Sequence, residues 1–120
     1  MRINPNKGFT LVEILCVVAI IALILAIAIP TFITIRINSQ KTICIANLDK
    51  ISGAIDQWAL ERQIPAGTAI SGVDEDDIYN NFTQGGKKEC PAGGAYTLHT
   101  VGETPQVSCS LESEGHKLAN

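Results

Sequence analysis

The chain has 120 residues and a formal net charge of −3, with 46% hydrophobic but only 5% aromatic residues. A chain of this length holds one small domain, or one long element plus a small domain, which excludes a multidomain enzyme. The nine basic residues are scattered among twelve acidic ones, so bulk electrostatics does not favour a nucleic-acid partner.

The apolar residues are concentrated near the N-terminus. Residues 9–29 form an unbroken apolar segment in which Glu13 is the one charged residue. As a helix this segment extends about 32 Å, at about 1.5 Å per residue, which is enough to cross the hydrocarbon core of a bilayer. We therefore predict a transmembrane helix, and the rest of the sequence offers no second such run for a polytopic membrane protein.

The residues before this segment predict its orientation. Arg2 and Lys7 precede it, and positive charge there favours a cytoplasmic N-terminus with the remainder of the chain across the membrane. A secretory signal peptide would be cut after its apolar region, whereas the one plausible small-residue site, Gly8, precedes it. By hydropathy alone, a simple one-span anchor explains the segment equally well.

Glu13 distinguishes the segment from a simple anchor. A carboxylate inside a spanning helix costs about 2.5–3.5 kcal/mol on the insertion scale, so we expect it to be protonated or paired. No basic residue occurs between Glu13 and Arg36. We therefore expect a partner from another chain, or from the new terminal amine that cleavage after Gly8 would create on Phe9.

Residues 7–13 (KGFTLVE), followed by the apolar segment, resemble the class III signal of type IV pilins and type II secretion pseudopilins. The resemblance implies that a membrane-embedded prepilin peptidase cuts between Gly8 and Phe9 and methylates the new amine of Phe9. It also implies that Glu13 is the subunit-assembly carboxylate and that Pro30 kinks the helix. The detailed match ends at Pro30, and the remainder agrees in architecture only.

Beyond Pro30 an apolar stripe with a seven-residue repeat predicts an amphipathic helix over residues 30–62. The stripe consists of Ile37, Cys44, Leu48, Ile51, Ile55 and Trp58. We expect the C-terminal segment to pack on it. Lys41 and Arg62 interrupt one row of the pattern, which argues against a long coiled coil. Gly53 either permits a close approach or costs about 1 kcal/mol.

An acidic stretch predicts one short helix, over residues 74–82, within an otherwise loop-like region. Asp74 would cap this helix, with Asp76 and Asp77 in its first turn. Secretion-type major pseudopilins often bind calcium in a C-terminal loop, so the resemblance makes Asp74, Asp76 and Asp77 candidate calcium ligands. Consecutive acids lack the alternating spacing of a calcium loop, and we favour a solvated helix start without a cofactor.

Two alternating, β-rich segments, 95–101 and 106–111, predict a hairpin with a turn at 102–105. In this register Cys109 lies opposite Leu98, and His99 points outward together with Thr97 and Val101. The inward face should cover the helix near Cys44, because a lone hairpin is barely stable. That face consists of Tyr96, Leu98, Val107, Cys109 and Leu111.

Three cysteines, Cys44, Cys90 and Cys109, lie outside the apolar segment, and we predict that at least one disulfide joins two of them. A bridge from Cys109 to Cys44 is geometrically easier, whereas a 90–109 bridge resembles the C-terminal loop of many pilins, so the pairing stays open. Cys16 fills space in the spanning helix, and no CxxC motif indicates thiol-redox catalysis. His99 and His116 are isolated in the sequence, and we expect no metal site there.

The predicted fold is α+β: a long N-terminal helix packed against a small C-terminal β-hairpin domain, as in pilins. Its segments are a cytoplasmic leader (1–8), a transmembrane and assembly helix (9–29), an amphipathic helix (30–62) and a loop-rich domain (63–120). We expect the C-terminal domain in the periplasm, anchored to the bacterial inner membrane and later carried in a periplasmic or surface fibre.

The resemblance implies a structural subunit, and our first choice is a pseudopilin that polymerises into a periplasmic pseudopilus driving type II protein secretion. This preference reflects the small size and the absence of a large sheet or basic face. The alternatives are a type IV or minor pilin for adhesion, motility or DNA uptake, and a membrane-anchored binding module with a pilin-like N-terminus. Implied partners are further copies of the chain, other pilins or pseudopilins, the prepilin peptidase and an inner-membrane assembly platform. The sequence shows no nucleophile–base pair of the kind that would indicate an enzyme.

Overall fold

The computed structural model describes residues 8–119, so residues 1–7 of the predicted leader, with Arg2 and Lys7, lie outside it. The chain forms two compact units, the first ending at Arg36 and the second beginning at Ile37. The predicted α+β class is confirmed. In chain order the elements are α1 (Leu11–Arg62), α2 (Gly72–Asp77), a π-helical turn (Ile78–Phe82), β1 (Tyr96–Leu98), β2 (Val107–Cys109) and a 3-10 turn (Glu112–Glu114).

The first unit is a single exposed apolar helix. Every residue from Gly8 to Arg36 is exposed in the isolated chain, and α1 is long and apolar enough here to cross a membrane, by length and composition. The helix continues through Pro30 without interruption. In this turn the Thr34 hydroxyl donates to the Pro30 carbonyl at 3.2 Å. Whether the axis bends at Pro30 stays a prediction.

The second unit is built on one face of α1. The buried positions of the helix match the predicted stripe from Cys44 onward and add two alanines: Cys44, Leu48, Ile51, Ala54, Ile55, Trp58 and Ala59. The prediction that Ile37 is the first buried position of the stripe is wrong, because Ile37 is 56% exposed. Burial of the helix begins at Gln40, whose side-chain amide donates to the Pro91 carbonyl at 3.1 Å.

The predicted hairpin forms, but its register differs from the expected one. Strands β1 and β2 are antiparallel with Tyr96 opposite Cys109 and Leu98 opposite Val107. The expected pairing of Cys109 with Leu98 is therefore wrong by two residues. The inward face is confirmed, since Val107 and Cys109 are buried and Tyr96 and Leu98 pack partly buried against the core.

The register differs because Val101 pairs with another segment. Its N–H donates to the Thr68 carbonyl at 3.0 Å, and its carbonyl accepts from the Gly67 N–H at 2.8 Å. Val101 therefore lies buried, not outward beside His99 as expected. His99 is half-buried, with Nε2 2.7 Å from the Ser108 hydroxyl. The chain leaves the hairpin earlier than the alternation predicted.

Helix α2 and the π-helical turn occupy the predicted acidic stretch, but Asp74 is not the cap. Ser71 is the N-cap, and Asp74 is the third helical residue, whose carboxylate accepts from the Ser71 N–H at 3.0 Å. Reciprocal contacts of this kind form a capping box. Asp77 falls in the last turn of α2, not the first.

Asp77 connects the end of α1 to the π-helical turn. Its two oxygens accept from Arg62 at 3.1 and 3.2 Å, from the Trp58 indole N–H at 2.9 Å and from Asn81 at 2.7 Å. The Asn81 amide contributes most to lowering the pKa of the Asp77 carboxyl, and Arg62 and Trp58 lower it further against the opposing effect of desolvation.

Gly53 lies in the middle of α1, and a Cβ added there would meet no atom within 4 Å. The close approach considered from the sequence is therefore absent. We predict that Gly53→Ala raises the free energy of unfolding by about 0.5–1 kcal/mol, because alanine loses less backbone entropy in a helix. Fluorescence of Trp58, the single tryptophan, measures this during denaturation of the full chain in detergent.

The matched control for this prediction is Gly94→Ala. Its Cβ would lie 2.8 Å from the Cys109 sulfur, so we expect the opposite sign. An equal effect of the two substitutions would contradict the assignment of open space at Gly53.

The lowered pKa of Asp77 predicts a pH-dependent contribution to stability. A carboxyl with a depressed folded-state pKa stabilises the fold above its ordinary pKa of 3.8, and this stability is lost as the pH falls through the folded-state value. Asp77→Asn should therefore lower the thermal midpoint at neutral pH, with a difference that shrinks below pH 3.8. Near-ultraviolet circular dichroism follows the transition. Asp76→Asn, at an exposed neighbour, is the control, and a pH-independent difference for Asp77→Asn would refute the prediction.

Candidate functional site

The N-terminal candidate site consists of Gly8, Phe9, Thr10 and Glu13. Gly8 and Phe9 precede the helix, and Phe9 is 85% exposed. A Cβ on Gly8 would meet no atom within 4 Å. The residues of the expected cleavage site are thus open to approach within the described part of the chain.

Glu13 closes the N-terminus of α1 through Thr10. The Glu13 N–H donates to the Thr10 hydroxyl at 3.3 Å, and the Glu13 carboxylate accepts from the Thr10 N–H at 2.8 Å. Since α1 begins at Leu11, these contacts form a capping box between the residue before the helix and its third residue. The negative charge also lies near the positive end of the helix dipole.

This intrachain partner of Glu13 was missed in the sequence, although the Thr-x-x-Glu spacing was its signal. A neutral N–H satisfies one oxygen of the carboxylate but does not cancel its charge. Cleavage between Gly8 and Phe9 would place an amine directly before Thr10. The capping box and the expected pairing with a cation are therefore compatible with each other.

The candidate calcium ligands are engaged within the protein. Asp74 contacts Ser71, whose hydroxyl and N–H lower the pKa of the Asp74 carboxyl. Asp77 contacts Arg62 and its neighbours, and Asp76 is exposed. Within residues 8–119, one group of three or more side chains lies close enough to share a metal ion. It does not include these aspartates. Calcium stays an untested expectation of the resemblance.

That group consists of Cys44, Cys90, Cys109 and His116, which we call the Cys3His cluster. One ligand atom from each residue lies within 4.8 Å of all the others, and the Cys90 sulfur lies 3.5 Å from Nδ1 of His116. All four residues are buried, with 0–4% of their surface exposed. All four cysteines of the chain are free, so the disulfide predicted from the sequence is not formed in this structure.

Different segments bring the members of the cluster together. Cys44 lies on α1, Cys109 ends β2, and Cys90 starts a turn in which the Gly93 N–H donates to the Cys90 carbonyl at 2.9 Å. His116 follows the 3-10 turn. Sequence reasoning missed this histidine, because the four positions share no short ligand spacing and meet only in the folded chain.

Burial and local donors act differently on the thiols of the cluster. Burial raises the pKa of Cys44 to about 12, although the Tyr96 hydroxyl, 3.5 Å from its sulfur, works in the opposite direction. Burial also opposes ionisation of Cys90, but hydrogen bonds from the Ala92 N–H, the Cys44 thiol and the Gly94 N–H lower its pKa overall. The surroundings of the cluster therefore act in opposite directions on the pKa values of Cys44 and Cys90.

Comparison with known proteins finds one N-terminal motif and several similar pilins. The family model described as "Prokaryotic N-terminal methylation motif" matches residues 3–29. Type IV major pilin protein PilA of Myxococcus xanthus (strain DK1622) is 50% identical over 62 residues, 51% of this chain and 28% of that protein. Fimbrial protein Q of Moraxella bovis is 36% identical over 74 residues, 61% of this chain and 47% of that protein.

A longer match exists at lower identity. Type IV major fimbrial protein FimA of Dichelobacter nodosus is 28% identical over 114 residues, 95% of this chain and 70% of that protein. PilA and fimbrial protein Q are each matched over less than half of their own length. No solved structure matches this chain. The N-terminal segment carries the prokaryotic N-terminal methylation motif, and the predicted resemblance of the chain to the type IV pilin family is confirmed.

Proposed function

We propose that this chain is a pilin-type structural subunit that is cut between Gly8 and Phe9 and methylated on Phe9. It polymerises through the part of α1 that lies in the first unit. The observation that carries the proposal is an apolar helix, exposed over its whole length up to Arg36, with a single carboxylate at its N-terminal end. The methylation motif over residues 3–29 supports the processing step. The proposal assigns the chain no enzymatic role and no nucleic-acid partner.

The exposed side chains explain why such a helix would polymerise. Burying one large apolar side chain contributes about 1.5–3 kcal/mol relative to leaving it in water, so this helix can leave the lipid only if neighbouring helices cover it. Further copies of the same helix offer a matching apolar surface. The partners in the proposal are thus other copies of the chain and related pilins, with the prepilin peptidase and an inner-membrane assembly platform acting before assembly.

The kind of fibre is the finer part of the proposal. The similar proteins named above are type IV major pilins and fimbrial proteins, which favours a type IV pilus subunit. The secretion pseudopilus expected from the sequence remains the second candidate, and a membrane-anchored binding module is the third. Deleting the chain in its native host separates them: loss of sheared surface fibres favours the pilus, and loss of secreted proteins with intact fibres favours the pseudopilus. Intact fibres and intact secretion would favour the binding module.

The proposed function predicts how the N-terminus is processed. We expect the mature chain to begin at N-methylated Phe9, because Gly8 precedes an exposed helix start within the matched motif. Intact-mass measurement of the chain from native membranes checks both the cut and the added methyl group. Gly8→Glu should leave the leader attached, whereas Gly53→Ala, far from the site, should be processed normally. A wild-type chain that retains residues 1–8 would refute the prediction.

A further prediction separates the two roles of the Glu13 carboxylate, which are pairing with an amine of a neighbouring subunit and capping of α1. Pairing with the Phe9 amine of a neighbouring subunit at about 4 Å would gain roughly 4 kcal/mol at an effective dielectric of 20, before desolvation is subtracted. A cap contributes only about 0.5–2 kcal/mol. We therefore expect Glu13→Val to be inserted and cleaved normally but to enter fibres poorly, as measured by its share of the sheared fibre fraction.

Two further variants distinguish the charge from the cap. Glu13→Gln keeps an acceptor for the Thr10 N–H but loses the charge, and Thr10→Val removes the capping hydroxyl and keeps the charge. If the charge dominates, Glu13→Gln fails like Glu13→Val while Thr10→Val assembles. The reverse pattern would assign the role of Glu13 to the helix cap, and normal assembly of all three would exclude both roles.

A further inference from the structure

The fibre function leaves the Cys3His cluster unexplained. Its four side chains belong to the second unit, whereas the proposed function uses the apolar helix of the first unit. We propose that Cys44, Cys90, Cys109 and His116 form a structural zinc site.

The geometry of the cluster fits a tetrahedral ion. Zinc binds sulfur at about 2.3 Å and nitrogen at about 2.0–2.1 Å, so the edges of the tetrahedron are about 3.8 Å between sulfurs and about 3.6 Å between sulfur and nitrogen. The Cys90 sulfur and His116 Nδ1 are 3.5 Å apart, and no pair in the cluster exceeds 4.8 Å. Small side-chain rotations close the remaining difference.

The donor set selects the metal. Three thiolates and one imidazole are soft and borderline ligands that suit zinc, whereas calcium and magnesium require oxygen ligands. All four ligands are buried, which matches a closed structural site and leaves no open position for a substrate or a reactive water. The inferred role is therefore structural.

The surroundings of the cluster provide donors to the sulfurs. Three thiolates with Zn²⁺ carry a net charge of −1, and hydrogen bonds from the second layer stabilise such a site. The Tyr96 hydroxyl donates to the Cys44 sulfur at 3.5 Å, and the N–H groups of Ala92 and Gly94 donate to Cys90. Gly94 must be small, since a Cβ there would lie 2.8 Å from the Cys109 sulfur.

A metal would bind more of the side chains in the cluster than a disulfide would join. A disulfide would join two of the three sulfurs and leave one thiol and the His116 ring buried without a strong partner. Zinc binds all four groups and ties α1, the turn at Cys90, β2 and the C-terminal segment together. This matters because a two-stranded sheet is marginal alone, and small domains commonly rely on a metal or a disulfide.

The first test measures the metal in the full chain, purified anaerobically in detergent without chelator or added reductant. We expect about one zinc per chain, which is the stoichiometry of a closed four-ligand site. X-ray absorption should show three sulfurs at about 2.3 Å and one nitrogen at about 2.0–2.1 Å. Removal of zinc by a chelator should lower the thermal midpoint followed by Trp58 fluorescence. Less than a tenth of an equivalent of zinc, with two cluster cysteines joined in a disulfide, would overturn the proposal.

Matched variants exclude adventitious binding. His116→Gln and Cys109→Ser should lose zinc, whereas His99→Gln and Cys16→Ser, which lie outside the cluster, should keep it. His116→Cys supplies a fourth thiolate and should retain zinc, so it distinguishes loss of a ligand from a general failure to fold. Equal zinc content in His116→Gln and the wild type would overturn the assignment. It would also be overturned if His99→Gln and Cys16→Ser lost zinc while Cys109→Ser kept it.

Discussion

Burial of one face of α1, from Cys44 to Ala59, is the constraint on which the second unit depends. Leu48, Ile51 and Ile55 are completely buried on this face, yet the elements that cover them are short: two three-residue strands, one helix of six residues and connecting turns. None of these elements is stable by itself. Each is ordered because it covers part of the helix, and the polar contacts from α1, such as Gln40 with Pro91 and Trp58 with Asp77, fix where each segment lies.

This dependence explains how far the sequence predicts the fold. The stripe on α1, the inward face of the hairpin and the short acidic helix are local patterns, and the structure contains all three. The register of the hairpin is not local, because Val101 bonds to residues 67 and 68. Alternation alone could not reveal that competitor. The same reasoning applies to Ile37, which continues the apolar periodicity but lies beyond the segment that packs on the helix.

The candidate sites divide in the same way. The residues from Gly8 to Glu13 are consecutive, so the resemblance that implies the processing motif could be recognised directly in the sequence. The capping box of Thr10 and Glu13 has the Thr-x-x-Glu spacing in the same segment. Cys44, Cys90, Cys109 and His116 come from four separate segments, and they meet only in the folded chain. In the expected register Cys109 would have faced Leu98, whereas the observed pairing places it opposite Tyr96, whose hydroxyl contacts Cys44. The shift by two residues keeps Cys109 on the inward face, so the approach of Cys109 to Cys44 was expected, whereas the positions of Cys90 and His116 depend on loop paths that carry no sequence pattern.

The two uses of the same sulfurs stabilise a protein in different ways. A disulfide acts mainly by restricting the unfolded chain, and its effect is permanent once it has formed. A bound metal stabilises only the folded state, by an amount that grows with the free metal concentration relative to its dissociation constant. Zinc in the Cys3His cluster would therefore make the folding of the second unit depend on the free metal concentration, while the apolar first unit, which contains none of the four ligands, would not respond to the metal. In the proposed subunit, the N-terminal helix would then stay anchored in the membrane whether or not the second unit had acquired its metal.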